Sequence, residues 1–300
     1  VIDNRRPGGE IQGPIAYPHI RARHRGAGSR TNPRHQWKLK FNRSQLYEEN
    51  RILDTTLDLV MRERMGYVVF DRAGIDNLES DPMRLNLNGS FWAYYLAFES
   101  ANSTWASKHG YGEGTEAYKA RSHTTPGKQS DLYRNQMFTD EDFWGSWNKK
   151  IRPLECPVHI SELTDVVNDF TDDELLPWLD ANVDLEQVYS RWGINILLNI
   201  DDFTTHNHMF FRPESGKWKW VGFDFDSFGR MIVGNLAITY GDGSTGTRDW
   251  QWNKLLNRSS GNRTLRRIHI LNLRRMLNTF FTEEILSPLL EAEEARVDRA

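Results

Sequence analysis

The sequence predicts an α+β fold in which a sheet-rich N-terminal part precedes a helical C-terminal part. Three observations predict it. Alternating apolar segments with tight-turn signals recur through the first 100 residues, 3.6-residue periodicity marks the stretches after Thr171, and two aromatic strands with carboxylates at their ends interrupt those helices. At 300 residues with 38% hydrophobic and 12% aromatic side chains, the chain can bury one large core or two that share an interface.

The opening to about Ala16 is rich in Gly, Pro and Arg and reads as an irregular lead-in. "HIRARHRGAGSR" is an alternating strand running into a Gly-containing turn, and "HQWKLKF" is its hairpin partner. From Ser44 to Met65, the spacing of Leu46, Ile52, Leu53, Leu57, Val60 and Met61 predicts an amphipathic helix ended by Gly66. "PMRLNLNGSFWAYYLAFES" reads as a second hairpin turning at Asn88-Gly89. Residues 105–160 lack clear periodicity and read as a long connection with short elements. "TDDELLPWLD", opened by Thr171 with acidic residues in its first turn, "DLEQVYSRWGINILLN", "NRTLRRIHILNLRRMLNTFF" and "TEEILSPLLEAEEARV" read as helices. The expected division is 1–104 as a sheet lobe with one helix, 105–170 as a connecting region, and 171–300 as a helical lobe carrying the functional segments.

Composition narrows the function classes. A formal net charge of -3 argues against a nucleic-acid coat, and no apolar run approaches the roughly 18 residues of a membrane span. The single cysteine, Cys156, excludes an intramolecular disulfide framework and reads as a packed apolar residue. The chain opens on Val1 without a basic-apolar leader, which reads as a trimmed fragment. Sequons at Asn42, Asn88, Asn102, Asn257 and Asn262 would permit glycosylation in a eukaryotic secretory route.

The chemistry concentrates in "NIDDFTTHNHMFFRPESGKWKWVGFDFDSFG", which carries Asp201, Asp202, Asp224 and Asp226 with His206, Asn207 and His208 between them. Asp202 and Asn207 have the D-x-x-x-x-N spacing of a kinase catalytic loop, in which the Asp accepts a substrate proton and the Asn holds a metal. The following strand ends on Asp224 and Asp226, which supply hard oxygen ligands for Mg²⁺, with Asp224 as the principal ligand and Asp226 behind it.

Four blocks carry a resemblance: "RGAGSRTNPRHQWKLKF", "MRLNLNGSFWAYYLAFES", "NIDDFTTHNHMFF" and "KWKWVGFDFDSFG". In that order, from Ile20 to Gly229, the chain resembles the CotH (spore coat protein H) kinase family. The resemblance implies a two-lobed, atypical protein-kinase-like fold with a sheet-rich N-lobe and a helical C-lobe. It also implies ATP- and Mg²⁺-dependent (or Mn²⁺-dependent) phosphorylation of Ser or Thr in secreted, coat or surface proteins, hence an extracellular, cell-surface or spore-coat setting. ATP and a Ser/Thr-containing protein are the implied partners. By motif, the catalytic Asp is Asp202, with Asp201 one residue away; Asn207 matches the family's Asn and Asp224 the first Asp of its Asp-x-Asp. The phosphate-binding cation is Lys38 or Lys40, which share one strand face. Arg25, Gly26, Gly28, Ser29 and Arg30 match the family's small-residue turn, which would let the backbone approach phosphate. Glu99 matches a family Glu at the expected interlobe hinge, and Glu48, Glu49 or Glu63 would pair with the lysine.

The chain departs from the family pattern in its Asp201-Asp202 doublet and in Phe223, where the family usually has Trp. Two rival readings remain. His206-Asn207-His208 spells the core of a metal-dependent nuclease motif, although no second His-rich segment completes a site and P-loop and HExxH patterns are absent. A kinase-like fold could also serve as a noncatalytic coat or adhesion module. Arg263, Arg266, Arg267, Arg274 and Arg275 could dock an acidic substrate or phosphopeptide, but such a run more often reads as the solvated face of a helix.

Overall fold

The computed structural model describes residues 2–5, 11–26, 33–57, 60–121, 132, 147–152, 158–198, 200, 203, 207–226 and 253–298. Strands β1 (Ile2–Arg5) and β2 (Ile11–Ala16) form a separate antiparallel pair. Two further antiparallel sheets follow.

The first has the order β3-β4-β5-β7-β6, built from β3 (Arg21–His24), β4 (Trp37–Lys40), β5 (Ile52–Thr56), β6 (Ser80–Leu87) and β7 (Ser90–Glu99). Both expected hairpins form, and Asn88 and Gly89 take positive φ at the β6–β7 turn. The helix expected over Ser44–Met65 does not. Two isolated bridges, Asn42↔Gln45 and Tyr47↔Asn50, lead into β5, and helix α1 runs over Val60–Arg72. β-branched Ile52, Thr55 and Thr56 favour the pleated strand between β4 and β7, so sheet pairing overrides the helical spacing.

Nor does Gly66 end a helix; it lies inside α1 because another chain segment needs the space. A Cβ there would stand 2.6 Å from the Cβ of Phe225. Phe225 stacks on Phe70 at 4.8 Å and meets Tyr67 edge-on at 4.7 Å. The other side of α1 is held by the Arg64–Glu293 ion pair at 2.8 Å.

The second sheet, of order β11-β10-β8-β9, joins β8 (Glu116–Ala120) and β9 (Trp147–Ile151) to β10 (His208–Arg212) and β11 (Lys219–Gly222). Residues 105–160 thus supply two of its strands. Helix α2 (Ser103–Lys108) precedes β8, and α3 (Val158–Asp169) follows β9, with Ile160, Leu163 and Val167 buried on one face.

The four expected helices form as α4 (Asp172–Asn182), α5 (Leu185–Leu197), α7 (Arg263–Thr279) and α8 (Glu283–Asp298), with α6 (Lys254–Gly261) between α5 and α7. At α4 the Glu174 carboxylate accepts from the Thr171 hydroxyl at 2.7 Å and its backbone N–H at 2.9 Å, the expected capping arrangement. The α7 arginines face solvent while Leu265, His269 and Met276 are buried. Asn102 and Asn262, two of the five sequon asparagines, cap α2 and α7 with their side chains. Most of the buried apolar side chains form one cluster that runs from α1 through the second sheet to α7.

A candidate cleft with two electrostatic halves

Where the β10–β11 hairpin opens, two sequence-predicted residues come together. His208 pairs with Gly222, and one step further out the Phe223 N–H donates to the Asn207 carbonyl at 3.0 Å. Asn207 and Asp224 both adopt left-handed backbone conformations, with φ of 56° and 66°. For Asp224 that geometry is uncommon and is held in place by its neighbours, since its N–H donates to the Tyr67 hydroxyl at 3.3 Å and Phe225 is seated against Gly66.

This seating carries Asp224 and Asp226 towards Glu63 of α1. Glu63 is fully buried, and Tyr67 donates to its Oε1 at a long 3.4 Å. Burial first, then the charge of Asp224 and also that of Asp226, push the Glu63 carboxyl well above the usual carboxylate range. Its Oε2 has no hydrogen-bond partner among the described residues. Three acidic groups therefore crowd one side of the cleft. Among the described residues no three His, Cys, Asp or Glu side chains form a closed ligand group. The carboxylates of Asp224 and Asp226 with the amide of Asn207 are hard oxygen donors, and such a partial set fits a cation like Mg²⁺ that keeps several waters.

The facing side is basic. Lys38 Nζ lies 2.7 Å from Asp54 Oδ2 and 3.2 Å from Ser100 Oγ. Arg25 sits over the Phe98 ring at 4.7 Å, donates to the Thr55 carbonyl at 3.0 Å, and has its Nε 3.5 Å from Asp54 Oδ1. Lys119 of β8 lies over the Phe223 ring at 4.1 Å. Burial, then the nearby Lys150 and Arg25, push its ammonium down to about 8, against the weaker opposing pull of Asp54 and Asp224. Lys150 is lowered too, by burial and then by Lys38.

The predicted residues fare differently. Arg25, Lys38, Asp224 and Asp226 share electrostatic neighbours in this cleft, and Gly26 follows Arg25 with φ of 93°, which suits glycine. Of the two candidate lysines, Lys38 stands opposite Asp54 in the β4–β5 register, whereas Lys40 stands opposite Ile52. The expected Glu partner is corrected: Lys38 pairs with Asp54. Glu48 and Glu49 are exposed turn residues at positive φ, and Glu63 faces Asp224.

Glu99 is buried; it pairs with Lys108 at 2.7 Å and accepts from the Glu79 N–H at 3.0 Å. Asp201, Asp202, His206, Gly28, Ser29, Arg30 and Cys156 lie outside the described residues. His208, half of the nuclease-like pair, is fully buried among Trp147, Phe210 and Trp220.

Sequence reasoning missed Asp54, Tyr67, Lys119 and Lys150. Asp54 was hidden by the misassigned helix, yet it is the charged residue flanked by apolar and β-branched neighbours in "ILDTT", a pattern that marks a strand residue with a partner.

Fold and site together define a mixed α+β protein with antiparallel sheets, in which an acidic group of side chains around Glu63 and Asp224 neighbours a basic group around Lys38 and Lys119. The chain belongs to the CotH kinase protein family, whose model matches residues 22–300, beyond the 20–229 stretch that carries the resemblance. Membership supports phosphotransferase chemistry using nucleotide and divalent metal in general terms. No curated protein matches the chain by sequence. Among solved structures the chain is similar to the Helicobacter pylori proinflammatory kinase CtkA, at 12% identity and a TM-score of 0.33 over 87% of this chain and 91% of that one. It is also similar to a chain of the Shewanella oneidensis MR-1 toxin–antitoxin complex of HipA, HipB and operator DNA, at 10% identity and a TM-score of 0.29 over 88% of this chain and 58% of that one. No helix among the described residues is long and apolar enough to cross a membrane.

Proposed function

We propose that the protein is an ATP- and Mg²⁺-dependent Ser/Thr protein kinase acting on secreted, coat or surface proteins. One observation carries the reading: the cleft sets Glu63, Asp224 and Asp226 against Arg25, Lys38, Lys119 and Lys150, with Asp54 as the carboxylate among those cations. A metal–triphosphate complex would bring a cation to the side where Glu63, Asp224 and Asp226 gather and an anion to the side where Arg25 and the lysines gather.

In this reading Asp224 and Asn207, with Asp226 behind, hold Mg²⁺, which neutralises charge on the transferred phosphoryl group. Lys38, steadied by Asp54, holds phosphate oxygens. Asp202, or Asp201, orients the acceptor hydroxyl and takes its proton. The Glu99 side chain is spent on Lys108 and Glu79, so an adenine at this strand end would meet backbone groups. Catalysis then rests on positioning and charge neutralisation, with no covalent enzyme intermediate.

The test is transfer of label from ATP to a Ser-rich acceptor with Mg²⁺ or Mn²⁺. Transfer that disappears in Asp202→Ala and in Asp224→Ala, with both variants folded, supports the reading; transfer retained by both overturns the assignment. Nucleic-acid cleavage without ATP would instead favour the hydrolase alternative.

A further inference from the structure

The β8–β9 hairpin carries lysines on both of its faces, and they meet different fates. Lys149 stands opposite Tyr118, on the face where its Nζ reaches Glu116 Oε1 at 2.6 Å. Lys119 stands opposite Asn148; Lys150 sits at the register shift between the Ala117–Ile151 and Tyr118–Lys149 pairs, and its charge is felt by Lys119 while it feels those of Lys38 and Asp54, in the basic half of the cleft. Lys119 makes no hydrogen bond or ion pair to a described residue; its contact is the ring of Phe223, the residue next to Asp224. Asp54 is already engaged by Lys38 at 2.7 Å and lies 3.5 Å from Arg25.

A half-buried ammonium beside other cations is unfavourable in the protein alone and becomes favourable when an anion joins them. The Phe223 ring fixes where that ammonium stands, one residue from the principal candidate metal ligand. We infer that Lys119 is a second phosphate-binding cation of the cleft, taking the end of a polyphosphate that Asp224 holds through its metal. The assignment deepens the kinase reading and rests on it for the identity of the polyphosphate. It adds to the Lys38 strand a cation delivered from the opposite sheet.

Binding of Mg²⁺ with inorganic tripolyphosphate, which lacks adenine, tests the site by calorimetry. The parent chain binds it, and Lys119→Met and Lys119→Gln weaken binding at least about tenfold, equal to about 1.4 kcal/mol. Lys150→Met, at an exposed position, weakens it by a smaller factor. Without ligand both Lys119 variants keep or raise the thermal midpoint, because each relieves repulsion among cations; a residue with a merely structural role would lower it. Tripolyphosphate bound equally well by either folded Lys119 variant, or not bound by the parent chain, overturns the inference. Label transfer from ATP, measured separately, reports on the kinase reading: its absence alongside Lys119-dependent tripolyphosphate binding would sink that reading and leave this one standing.

Discussion

Two buried glutamates show opposite treatment of the same functional group. Glu116 receives Lys149 at 2.6 Å, His159 Nδ1 at 2.6 Å and the Tyr118 hydroxyl, and these hydrogen bonds outweigh its burial to hold its carboxyl down at about 2. Glu63 is fully buried, has Asp224 and Asp226 near it and receives one long bond from Tyr67, so burial first and then the like charges push its carboxyl up against the weaker pull of Arg25. Glu116 belongs to a network completed by the protein. Glu63 stands among like charges, and the contrast is between a carboxyl held ionised by its partners and one pushed towards its neutral form.

The largest expected effect is on activity. Asp224→Ala should lower phosphoryl transfer at least about 100-fold by removing the metal's principal support, while its thermal midpoint holds or rises because Glu63 loses a like charge. A variant that instead unfolds would make Asp224 the counterpart of Glu116 and break the comparison.

Glu116→Gln should cost about 3 kcal/mol in chemical denaturation, since it breaks the buried ion pair with Lys149. Glu63→Gln, measured alongside, should change stability by less than about 1 kcal/mol because its carboxyl already lacks strong partners.

Gly66→Ala tests the link between α1 and the Asp224 segment. Its methyl would overlap Phe225, costing about 2 kcal/mol and lowering transfer through displacement of Asp224. Unchanged transfer would show that the Phe225 contact does not position the site.

The smallest effect is in the pH profile. The depressed carboxyl of Glu116 contributes stability that is fully present above its unfolded value of about 4.5 and is lost as pH falls towards about 2. Denaturation midpoints measured between those limits should fall less steeply in Glu116→Gln than in the parent chain.

Much of this was legible before any coordinates. Alternation and the Asn88-Gly89 turn gave the hairpins, and the aromatic strand before "DFDSFG" placed Asp224 just past the end of β11, because strand period and turn chemistry are local properties. The Ser44–Met65 stretch misled because its apolar spacing satisfies a helix, while β5 depends on two neighbouring strands that local spacing does not encode.

The sequence alone determined which functional groups stand at the strand ends and that Lys38 and Lys40 share a face. Only tertiary structure set their charge partners: register places Lys38 against Asp54, Phe225 packs on Gly66 with Glu63 near the aspartates, and Lys119 of the second sheet lies over Phe223. The physical reason is that a residue's type and periodicity are written within a few neighbours. Its charge partner is chosen through space, by whichever distant segment packing brings within a few ångströms.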